Sequence, residues 1–558
     1  MSALTFTDGS AVEFANDDVV VVVGPNNAGK SALLRAIRDW VATNQASRVV
    51  TRIELAKSGT SVEIMHWVSG FAKRMDSDSP DPQYQALGSN VSRDTAVGYW
   101  NQQNSSAPLH NLARFFCHLL SGEERLQASH PAPGFAVARD APTHPAHFLY
   151  RDEVLEKELS SQFRKAFGVD LVVDRGGGNQ IPLRVGDRPV PEVGQDRLSV
   201  GYLESIARVP MLHEQGDGMR SFAGVLLHTS VGRESILLVD EPEAFLHPPQ
   251  ARLLGRNLAS KQTNVRQLFI ATHSGDVLRG MLDSGSASIR VVRIRREGNV
   301  NRVRELNSAK IAELWSDPLL RYSNILDGLF HESVVVCESD SDARFYSAVV
   351  DAVLQSRGGQ TRRPDLMFTH CGGKDRLATV VRALREVDVP VRVAVDFDVL
   401  NDEYPLRAIL ESAGGKWADV ESDWKEVKKA VDSKKAELNA ADVVREIQSI
   451  LGEVKEATFP RTAVEKVRKI FRSSSPWAIA KEVGKGFIPA GQATQAYERL
   501  AKALRALAIH IVEVGELEGF ARSVGNHGPR WVNEVLKRNL ATDAELESAR
   551  RYAMSLVE

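Results

Sequence analysis

The 558-residue sequence is poor in cysteine and contains no long apolar run. Its three cysteines, Cys117, Cys337 and Cys371, lie far apart, so neither a disulfide framework nor a closely spaced zinc site is indicated. The longest apolar run, Val19–Val23, is much shorter than the roughly 20 residues that a membrane-spanning helix needs. The basic-then-apolar pattern of a signal peptide is also missing from the N-terminus. We therefore expect a cytoplasmic protein with no membrane partner.

The sequence also has no excess of either charge, because it contains 70 Lys and Arg residues and 72 Asp and Glu residues, which give a formal net charge of −2. This balance supplies no bulk attraction to nucleic acid, so any nucleic-acid surface must be a local patch. Repeats and low-complexity tracts are not evident. A hydrophobic content of 43% and a charged content of 25% are ordinary for a globular protein. The length exceeds what one core accommodates, which predicts two or three domains.

A glycine-rich loop lies between a strand pattern and a helix pattern near the N-terminus. The five valines Val19–Val23 indicate a strand buried on both faces, and the apolar residues of 32–41 recur at helical spacing. The loop matches GxxxxGK[ST], in which backbone N–H groups surround the phosphates, the lysine reaches the β- and γ-phosphates and the serine ligates Mg²⁺. The predicted ATP-binding residues are Gly24, Pro25, Asn26, Asn27, Ala28, Gly29, Lys30 and Ser31.

A second apolar strand pattern, residues 236–241, ends in two carboxylates and fits a Walker B motif. Asp240 is predicted to hold Mg²⁺, like Ser31, and Glu241 to act as the general base that polarises the attacking water. His273 ends a further strand pattern, residues 267–274, at the position of a histidine that senses the γ-phosphate.

The interval of about two hundred residues between the P-loop and this motif resembles that of the ABC-type ATPases related to Rad50, SMC and RecF. In that class a signature loop upstream of Walker B contacts the nucleotide of a partner subunit, which implies at least a homodimer. The segment 216–221 occupies that place but departs from LSGGQ, and the resemblance implies that Gly218 and Ser221 contact ATP in trans. Candidates for the glutamine that couples Mg²⁺ to the helical subdomain are Gln102 and Gln103.

The second half of the chain contains strand patterns at residues 333–339, 391–398 and 508–515, which predict a parallel α/β sheet. The first ends at Glu338, and Asp342 follows four residues later. Asp396 and Asp398 end the second strand on one side, because strand residues i and i+2 face alike. Ligands of parallel sheets collect at the carboxyl ends of the strands, so these acids are expected to converge.

Clustered carboxylates repel one another, and burying them without a counter-charge is costly. A divalent cation with oxygen ligands, Mg²⁺ or alternatively Mn²⁺, explains the cluster. Such ions activate water and stabilise the leaving oxygen in phosphodiester cleavage. Glu338, Asp342, Asp396 and Asp398 are therefore predicted metal ligands, and Glu338 is also a predicted catalytic residue.

A glutamate strand, a glycine turn at Gly372–Gly373 and a DxD motif, in this order, resemble the Toprim fold of topoisomerases, primases and OLD-family nucleases. The acidic turn of residues 515–518 extends the resemblance, which adds Glu518 as a metal ligand and Glu516 as a secondary one. Ser339 departs from the glycine that usually follows the first glutamate in that fold. The resemblance also implies a late catalytic lysine, for which the candidates are Lys537 and, alternatively, Lys374.

An ABC-type ATPase followed by a Toprim domain resembles the OLD family of ATP-dependent endonucleases and antiphage relatives such as the Gabija nuclease subunit. The expected fold class is α/β, with an N-terminal ABC-type P-loop ATPase domain over 1–328 and a C-terminal Toprim domain over 329–558. Residues of about 100–210, including a helical-looking stretch at 111–126, form a helical or peripheral insert. A Lys-, Glu- and Ala-rich segment of about 400–507 forms a helical insertion.

The resemblance implies an ATP-regulated, metal-dependent nuclease that cuts nucleic acid, with DNA as the expected substrate, in bacterial antiphage defence. A homodimer or higher oligomer and a partner defence protein are expected with it. Two alternatives stay open: an ABC ATPase that senses or clamps DNA and carries a degenerate Toprim domain, and a Toprim RNase that targets tRNA. A topoisomerase is disfavoured, because no tyrosine stands in a recognisable nucleophile motif.

Overall fold

The computed structural model describes the whole chain apart from residues 76–77, 87, 103, 105, 261–265, 287, 299, 307–308, 310–312, 314, 319–320, 322–323, 359–363, 435–439, 455–457, 473–475 and 558, and apart from the side chains of 442 and 469–472. It divides into two compact units, Met1–Arg321 and Tyr322–Glu558, whereas the sequence places the boundary between residues 328 and 329. Across the described residues, no helix is both long enough and apolar enough to cross a membrane.

The N-terminal unit is built around a six-stranded sheet, and its described residues also form two three-stranded sheets and two two-stranded sheets. Its described strands are β1 (Ala3–Phe6), β2 (Ala11–Glu13), β3 (Val19–Val23), β4 (Val50–Glu54), β5 (Lys73–Met75), β6 (Gln83–Ala86), β7 (Ser89–Ser92), β8 (Cys117–Leu120), β9 (Ala132–Pro133), β10 (Asp170–Val173), β11 (Gln180–Ile181), β12 (Leu183–Gly186), β13 (Ile236–Asp240), β14 (Gln267–Ala271), β15 (Ile289–Glu297) and β16 (Val300–Leu306).

The six-stranded sheet has the order β16–β15–β3–β14–β13–β8. Strand β3 lies between β14 and β15 and pairs in parallel with both, and all five of its valines are buried. Strand β13 pairs in parallel with β14 and β8. Strands β15 and β16 form an antiparallel hairpin. Because β3, β13 and β14 are parallel, the segments that follow them leave the sheet at one edge.

Strand β8 corrects one detail of the sequence analysis. The stretch 111–126 has a helical pattern, but the structure places a parallel strand in it, β8, at the edge of the six-stranded sheet. The run is only four residues long, and so short an apolar run fits a helix and a strand equally well. The expected insert of about 100–210 therefore includes one strand of the central sheet.

Helices surround this sheet and continue through the expected insert. They are α1 (Lys30–Thr43), α2 (Ser61–Ser69), α3 (Arg93–Trp100), α4 (Ala113–Phe116), α5 (Gly122–Gln127), α6 (Ala146–Arg151), α7 (Glu153–Phe167), α8 (Val200–Ala207), α9 (Asp217–Val231), α10 (Pro248–Ser260) and α11 (Gly275–Leu282), with 3₁₀ turns at His110–Leu112 and Leu212–Glu214.

The C-terminal unit contains a four-stranded parallel sheet of β17 (Ser333–Cys337), β18 (Leu366–His370), β19 (Val391–Val395) and β20 (Ile509–Ile511). The strand order is β18–β17–β19–β20, and every pair is parallel. The three strand patterns of this half are thereby confirmed, and β18 is a fourth strand. Since all four strands run the same way, the residues that follow them share one edge of the sheet.

The helices of the C-terminal unit pack around this sheet and fill the long interval between β19 and β20, where every described element is helical, as the Lys-, Glu- and Ala-rich periodicity predicts. They are α12 (Asp340–Ser356), α13 (Lys374–Glu386), α14 (Glu403–Ser412), α15 (Glu421–Asp432), α16 (Ala440–Glu453), α17 (Arg461–Arg472), α18 (Pro476–Val483), α19 (Gln492–Ala506), α20 (Pro529–Val535) and α21 (Glu547–Ser555), with 3₁₀ turns at Ile325–Phe330, Phe397–Asn401, Trp417–Asp419, Gly484–Phe487, Leu517–Phe520, Arg522–Val524 and Ala544–Leu546.

Candidate nucleotide and metal sites

The loop between β3 and α1 has the backbone of a phosphate-binding loop. Gly24 has φ +146° and Gly29 has φ +103°, values that L side chains rarely adopt. A Cβ on Gly24 would lie 2.1 Å from the carbonyl oxygen of Ile294, so only glycine fits there. Lys30 is buried, and its Nζ donates to the carbonyl oxygens of Gly24 at 2.8 Å and Pro25 at 2.9 Å. The ammonium therefore lies within the turn of the loop, at the N-terminus of α1.

Ser31 and Asp240 are joined by a hydrogen bond although they lie far apart in sequence. The Ser31 hydroxyl donates to Oδ1 of Asp240 at 2.8 Å. Asp240 ends β13, and burial raises the pKa of its carboxyl, as does the neighbouring charge of Glu241, whereas the bond from Ser31 lowers it. This hydroxyl and this carboxylate are in contact at the end of the phosphate loop. Their oxygen atoms are ligands that suit Mg²⁺ bound to nucleotide phosphates.

Glu241 and His273 lie next to each other at the same sheet edge. Glu241 has φ +47°, and its backbone N–H donates to the carbonyl of Ala271 at 2.8 Å. Its side chain is about half exposed, and Oε1 lies 3.6 Å from Nδ1 of His273. A carboxylate and an imidazole that both reach solvent beside the phosphate loop can act on a γ-phosphate and its attacking water.

Glu243 is a neighbour of this pair that sequence reasoning did not single out. Its Oε1 accepts from the Thr272 hydroxyl at 2.8 Å and from the His273 backbone N–H at 2.9 Å, and lies 3.4 Å from Nδ1 of His273. The carboxyl is buried, and its second oxygen, Oε2, has no hydrogen-bond partner among the described residues. Its sequence position, two residues after Glu241, is the signal that could have identified it.

Arg125 is a second residue that the sequence did not reveal. Its guanidinium is almost fully buried, and Nη1 donates to the carbonyl oxygen of Asp240. Burial lowers the pKa of Arg125, and the nearby charges of Glu243, Asp240 and Glu241 oppose that shift. Arg125 lies on α5, just after β8, so the edge strand that the sequence analysis missed is what brings this cation to the carboxylates.

The signature segment does not match its predicted role at Ser221. This residue lies inside α9 and is fully buried, and its hydroxyl has no hydrogen-bond partner among the described residues. A hydroxyl packed inside its own unit cannot contact a nucleotide on another subunit, so the trans contact of Ser221 is corrected. Gly218 lies one turn earlier, where a Cβ would stand 2.8 Å from the carbonyl oxygen of Phe245.

The glutamine candidates remain without support at the nucleotide. The contact of Gln102 is made by its backbone carbonyl, which accepts from Nζ of Lys57 at 3.1 Å. Gln103 lies outside the described residues.

In the C-terminal unit, Glu338, Asp396 and Asp398 converge at the carboxyl edge of the sheet. Each offers an oxygen within 4.8 Å of the others, as the strand ends predict. Glu338 follows β17 and Asp396 follows the neighbouring strand β19, and Oε1 of Glu338 accepts from the Asp396 backbone N–H at 3.1 Å. This bond joins the two strand ends.

The pKa values of Glu338 and Asp396 are both raised. Burial and the like charge of Glu338 raise the pKa of Asp396 well above its usual range, and Lys481 partly opposes this. Burial also raises the pKa of Glu338, with a further contribution from Asp398. Two neighbouring carboxyls whose ionisation is opposed in this way need additional positive charge to be ionised together. Three carboxylates within one ligand sphere therefore fit Mg²⁺ or Mn²⁺.

Ser339 and the predicted metal ligand Asp342 form a capping box beside this cluster. Ser339 is the N-cap of α12, and its backbone N–H and hydroxyl both donate to Oδ2 of Asp342 at 2.9 Å. This reciprocal capping box explains why serine stands where glycine was expected. Burial raises the pKa of Asp342, and the charge of Glu518 adds to the shift, so these two carboxyls are near each other.

Glu516, Glu518 and His527 form a second group with metal-ligand spacing. Oε1 of Glu518 accepts from the Gly528 backbone N–H at 2.6 Å and lies 3.4 Å from Nδ1 of His527. Burial raises the pKa of Glu516, and the charge of Glu518 adds to it. His527 was missed by the sequence analysis, because a lone histidine nine residues after Glu518 carries no motif.

The lysines that lie beside the carboxylate cluster do not include Lys537. Nζ of Lys481, on α18 of the helical insertion, lies 3.2 Å from Oδ2 of Asp396 and 3.5 Å from Oδ1 of Asp398. Lys374, the alternative candidate, lies 3.4 Å from Oδ2 of Asp398. Lys537 forms an exposed ion pair with Glu534 instead, three residues earlier in the chain. The lysines at the carboxylates are thus Lys481 and Lys374, and the choice of Lys537 from its late position is corrected.

Comparisons with known proteins agree with the nucleotide site. A family described as "AAA domain, putative AbiEii toxin, Type IV TA system" matches residues 157–279, and a family described as "AAA domain" matches residues 5–46. The first match spans the Asp-Glu strand end and His273, and the second spans the phosphate loop. Together with the loop geometry, they define the N-terminal unit as a P-loop ATPase domain.

Among curated proteins, "Old nuclease" of Escherichia phage P2 is 24% identical over 175 residues, which are 30% of this chain and 28% of that protein. "Uncharacterized protein MJECL11" of Methanocaldococcus jannaschii is 32% identical over 87 residues, which are 15% of this chain and 76% of that protein. The chain belongs to the family of the latter, whose name states no function. With the first match and the ATPase families, the chain is a relative of the OLD family, as its motif order predicts.

The solved structures that align with this chain resemble it only distantly. The "SmcHead bound to the C-winged helix domain of ScpA" aligns at 13% identity over 55% of this chain and 94% of that chain, with a TM-score of 0.32. The "SMC head domain from Thermotoga maritima" aligns at 14% identity over 55% of this chain and 97% of that chain, with a TM-score of 0.26. Scores this low carry no argument about function.

Proposed function

We propose that the protein is an ATP-regulated, divalent-metal-dependent nuclease that cleaves phosphodiester bonds of nucleic acid, with DNA as its substrate. The observation that carries the proposal is the convergence of Glu338, Asp396 and Asp398 at one edge of a parallel sheet, with burial and mutual repulsion raising the pKa of Glu338 and Asp396. The arrangement costs stability, and catalytic metal sites are where such costs are common. This C-terminal unit is the proposed Toprim domain.

In this proposal the three carboxylates hold a divalent cation, and Glu516, Glu518 and His527 provide a second binding group. When bound, the metal supplies a polarised water and charge stabilisation of the leaving oxygen. The two lysines orient the scissile phosphate, because their ammonium groups lie beside the same carboxylates and carry the opposite charge to a phosphodiester. Asp342 keeps the start of α12 and its neighbour Glu338 in place through the capping box.

The ATPase half regulates the cut in the proposal. Lys30 binds the β- and γ-phosphates, Ser31 and Asp240 hold Mg²⁺, and Glu241 acts as the general base with His273 against the γ-phosphate. The contact of Ser31 with Asp240 supports these roles, as does the proximity of His273 to Glu241. We propose an ABC-type homodimer or higher oligomer, in which Gly218 remains the candidate for the trans contact.

The family relationship supports a role in bacterial antiphage defence together with a partner defence protein. The matched part of Old nuclease covers 28% of that protein, so its activity reaches this chain only as a proposal.

The test is cleavage of supercoiled DNA, linear DNA and tRNA by the purified protein with Mg²⁺ or Mn²⁺, with and without ATP. We expect metal-dependent cleavage of DNA that is lost in the double variant Asp396→Ala/Asp398→Ala while ATP hydrolysis continues. Lys30→Ala then reveals the sign of ATP control. Cleavage of tRNA alone would favour the RNase alternative. Cleavage that persists in the double variant would overturn the metal site, and DNA binding without cleavage would favour a sensor with a degenerate Toprim domain.

A further inference from the structure

The N-terminal unit contains a cavity of about 750 Å³ that the nucleotide chemistry does not use. Its walls include Ile236 and Gln267, the first residues of β13 and β14. The phosphate loop and Asp240 lie at the opposite, carboxyl ends of the parallel strands. The cavity is therefore separate from the ATP site, and its volume falls within the roughly 300–1,000 Å³ typical of small-ligand sites.

One wall of this cavity is a group of three stacked aromatic rings. Trp67 stacks on Phe116 with ring centroids 4.8 Å apart and planes at 20°, and Trp100 also stacks on Phe116, at 5.2 Å and 22°. Phe116 and Trp100 are mostly buried, whereas Trp67 is only partly buried. Leu55, Ile64 and other apolar side chains extend the wall. Such a surface favours a flat, aromatic ligand.

A cation lies at the edge of this wall. Nζ of Lys57 donates to the carbonyl oxygens of Tyr99 and Gln102, both at 3.1 Å, and burial lowers the pKa of Lys57. Among the described residues no carboxylate pairs with it. Trp100 is tied to the same loop, because its Nε1 donates to the carbonyl of Gly59 at 3.0 Å. The ammonium and the stacked aromatic rings are thus held together and face one cavity.

The carboxylates of the cavity wall are mostly engaged elsewhere. Glu63 closes the capping box of α2 with Thr60, and Glu234 pairs with Arg266. Glu158 is exposed, as is the cation Arg233. Among the described residues Nζ of Lys57 has backbone carbonyl oxygens and no carboxylate as partners, so an anionic group on the ligand would be stabilised there.

We propose that this cavity binds a base-plus-phosphate unit, a nucleoside monophosphate, with its base against the aromatic wall and its phosphate at Lys57. Base–aromatic stacking tolerates any base, because every base has a π face, so little base preference is expected. This ligand is either a free mononucleotide or the terminal nucleotide of a single strand, because both present the same base and phosphate. The proposal adds a second nucleotide site to the unit and does not depend on cleavage by the C-terminal unit.

The experiment is isothermal titration of the full chain carrying Lys30→Ala, which removes binding at the P-loop. Nucleoside monophosphates, the matching nucleosides, ribose 5-phosphate and a short single-stranded oligonucleotide are the titrants. We expect saturable binding of the monophosphate at one per chain. Binding should weaken at least ten-fold when either the base or the phosphate is missing, and comparison with the oligonucleotide distinguishes a free nucleotide from a strand end.

Variants added to Lys30→Ala assign the site. Lys57→Met and Trp67→Leu should each weaken binding at least ten-fold, whereas Lys57→Arg should retain it. The matched control is Lys73→Met, because Lys73 is also a lysine that donates to a carbonyl oxygen at the surface of this unit, outside the cavity wall. If Trp67→Leu fails to fold, the comparison of Lys57→Met with Lys57→Arg decides whether the cavity is the binding site. Equal affinity of Lys57→Met and Lys73→Met, or no saturable binding of any titrant, would overturn the proposal.

Discussion

Removing one charge from the carboxylate cluster should stabilise the metal-free protein. Burial and Glu338 raise the pKa of Asp396 well above its usual range, in spite of Lys481 at 3.2 Å. A carboxyl whose folded pKa is raised contributes stability at low pH. That contribution is lost as pH rises from its unfolded pKa of about 3.9 through the folded pKa. At pH 8 without metal, an ionised Asp396 therefore costs stability, and Asp396→Asn should relieve that cost.

The size of the effect follows from the buried state of the group. Relief of one inadequately compensated buried charge is worth about 1–3 kcal/mol. For a unit of this length each kcal/mol raises Tm by roughly 2–4 °C, so the expected gain is roughly 2–12 °C. The backbone N–H of residue 396 keeps its hydrogen bond to Oε1 of Glu338 in this variant, and Lys481 retains Asp398 at 3.5 Å. In the unmodified protein, a metal at a hundred times its Kd should add about 2.7 kcal/mol.

Calorimetry at pH 5 and pH 8, in EDTA and in Mn²⁺, measures both effects. Asp396→Asn should unfold at a higher temperature than the unmodified protein in EDTA at pH 8, with a smaller difference at pH 5, and should lose most of the rise that Mn²⁺ produces. Asp419→Asn is the control, because Asp419 is an exposed carboxylate of the same unit. A lower Tm for Asp396→Asn in EDTA at pH 8, or an undiminished response to Mn²⁺, would refute the reasoning.

Three further predictions concern the ATPase unit. Lys30→Ala should abolish ATP binding in a nucleotide titration, because its Nζ is the cation inside the phosphate loop, and undiminished affinity would remove the P-loop assignment. Glu243→Gln should lower the kcat of ATP hydrolysis about ten-fold or more with little change in KM, since Glu243 acts by holding His273. The loss should not add to the loss caused by His273→Ala, and fully additive losses would contradict that role. Ser221→Ala should keep ATPase activity within about two-fold and leave Tm unchanged or raised, because its buried hydroxyl has no described partner; loss of hydrolysis would restore the trans contact.

The parts of the site that the sequence predicts are those encoded by contiguous residues. The strand Val19–Val23, the phosphate loop and helix α1 occupy the positions that the motif indicates, because a buried β-branched run, positive-φ glycines and an amphipathic helix each have a local signature. The convergence of Glu338 with Asp396 and Asp398 was predictable for a related reason. Parallel strands bring their carboxyl ends together, so strand patterns alone place the acids at one edge.

The missed residues are brought to the site by distant segments. Arg125 reaches Asp240 across 115 residues, and Lys481 reaches Asp398 across 83 residues. Neither stands in a motif, and each depends on how an insert folds back on the sheet. Ser221 shows the complementary difficulty, because a loop-entering-helix pattern does not specify which face of the helix is buried. Lys537 was chosen from its position in the chain, and sequence position does not determine side-chain proximity.

The two acidic sites differ in how their charge is balanced, and this difference bears on metal binding. Asp240 is held by the hydroxyl of Ser31 and, through its carbonyl, by the buried Arg125, so the nucleotide site is preorganised by its own side chains. Asp396 and its neighbours are balanced by lysine ammonium groups, one of them Lys481 from the helical insertion. An ammonium and a divalent cation compete for the same carboxylates, because both are attracted by the same negative charge. A movement of the insertion that withdraws Lys481 would therefore favour metal binding, and one that presses it inward would oppose it.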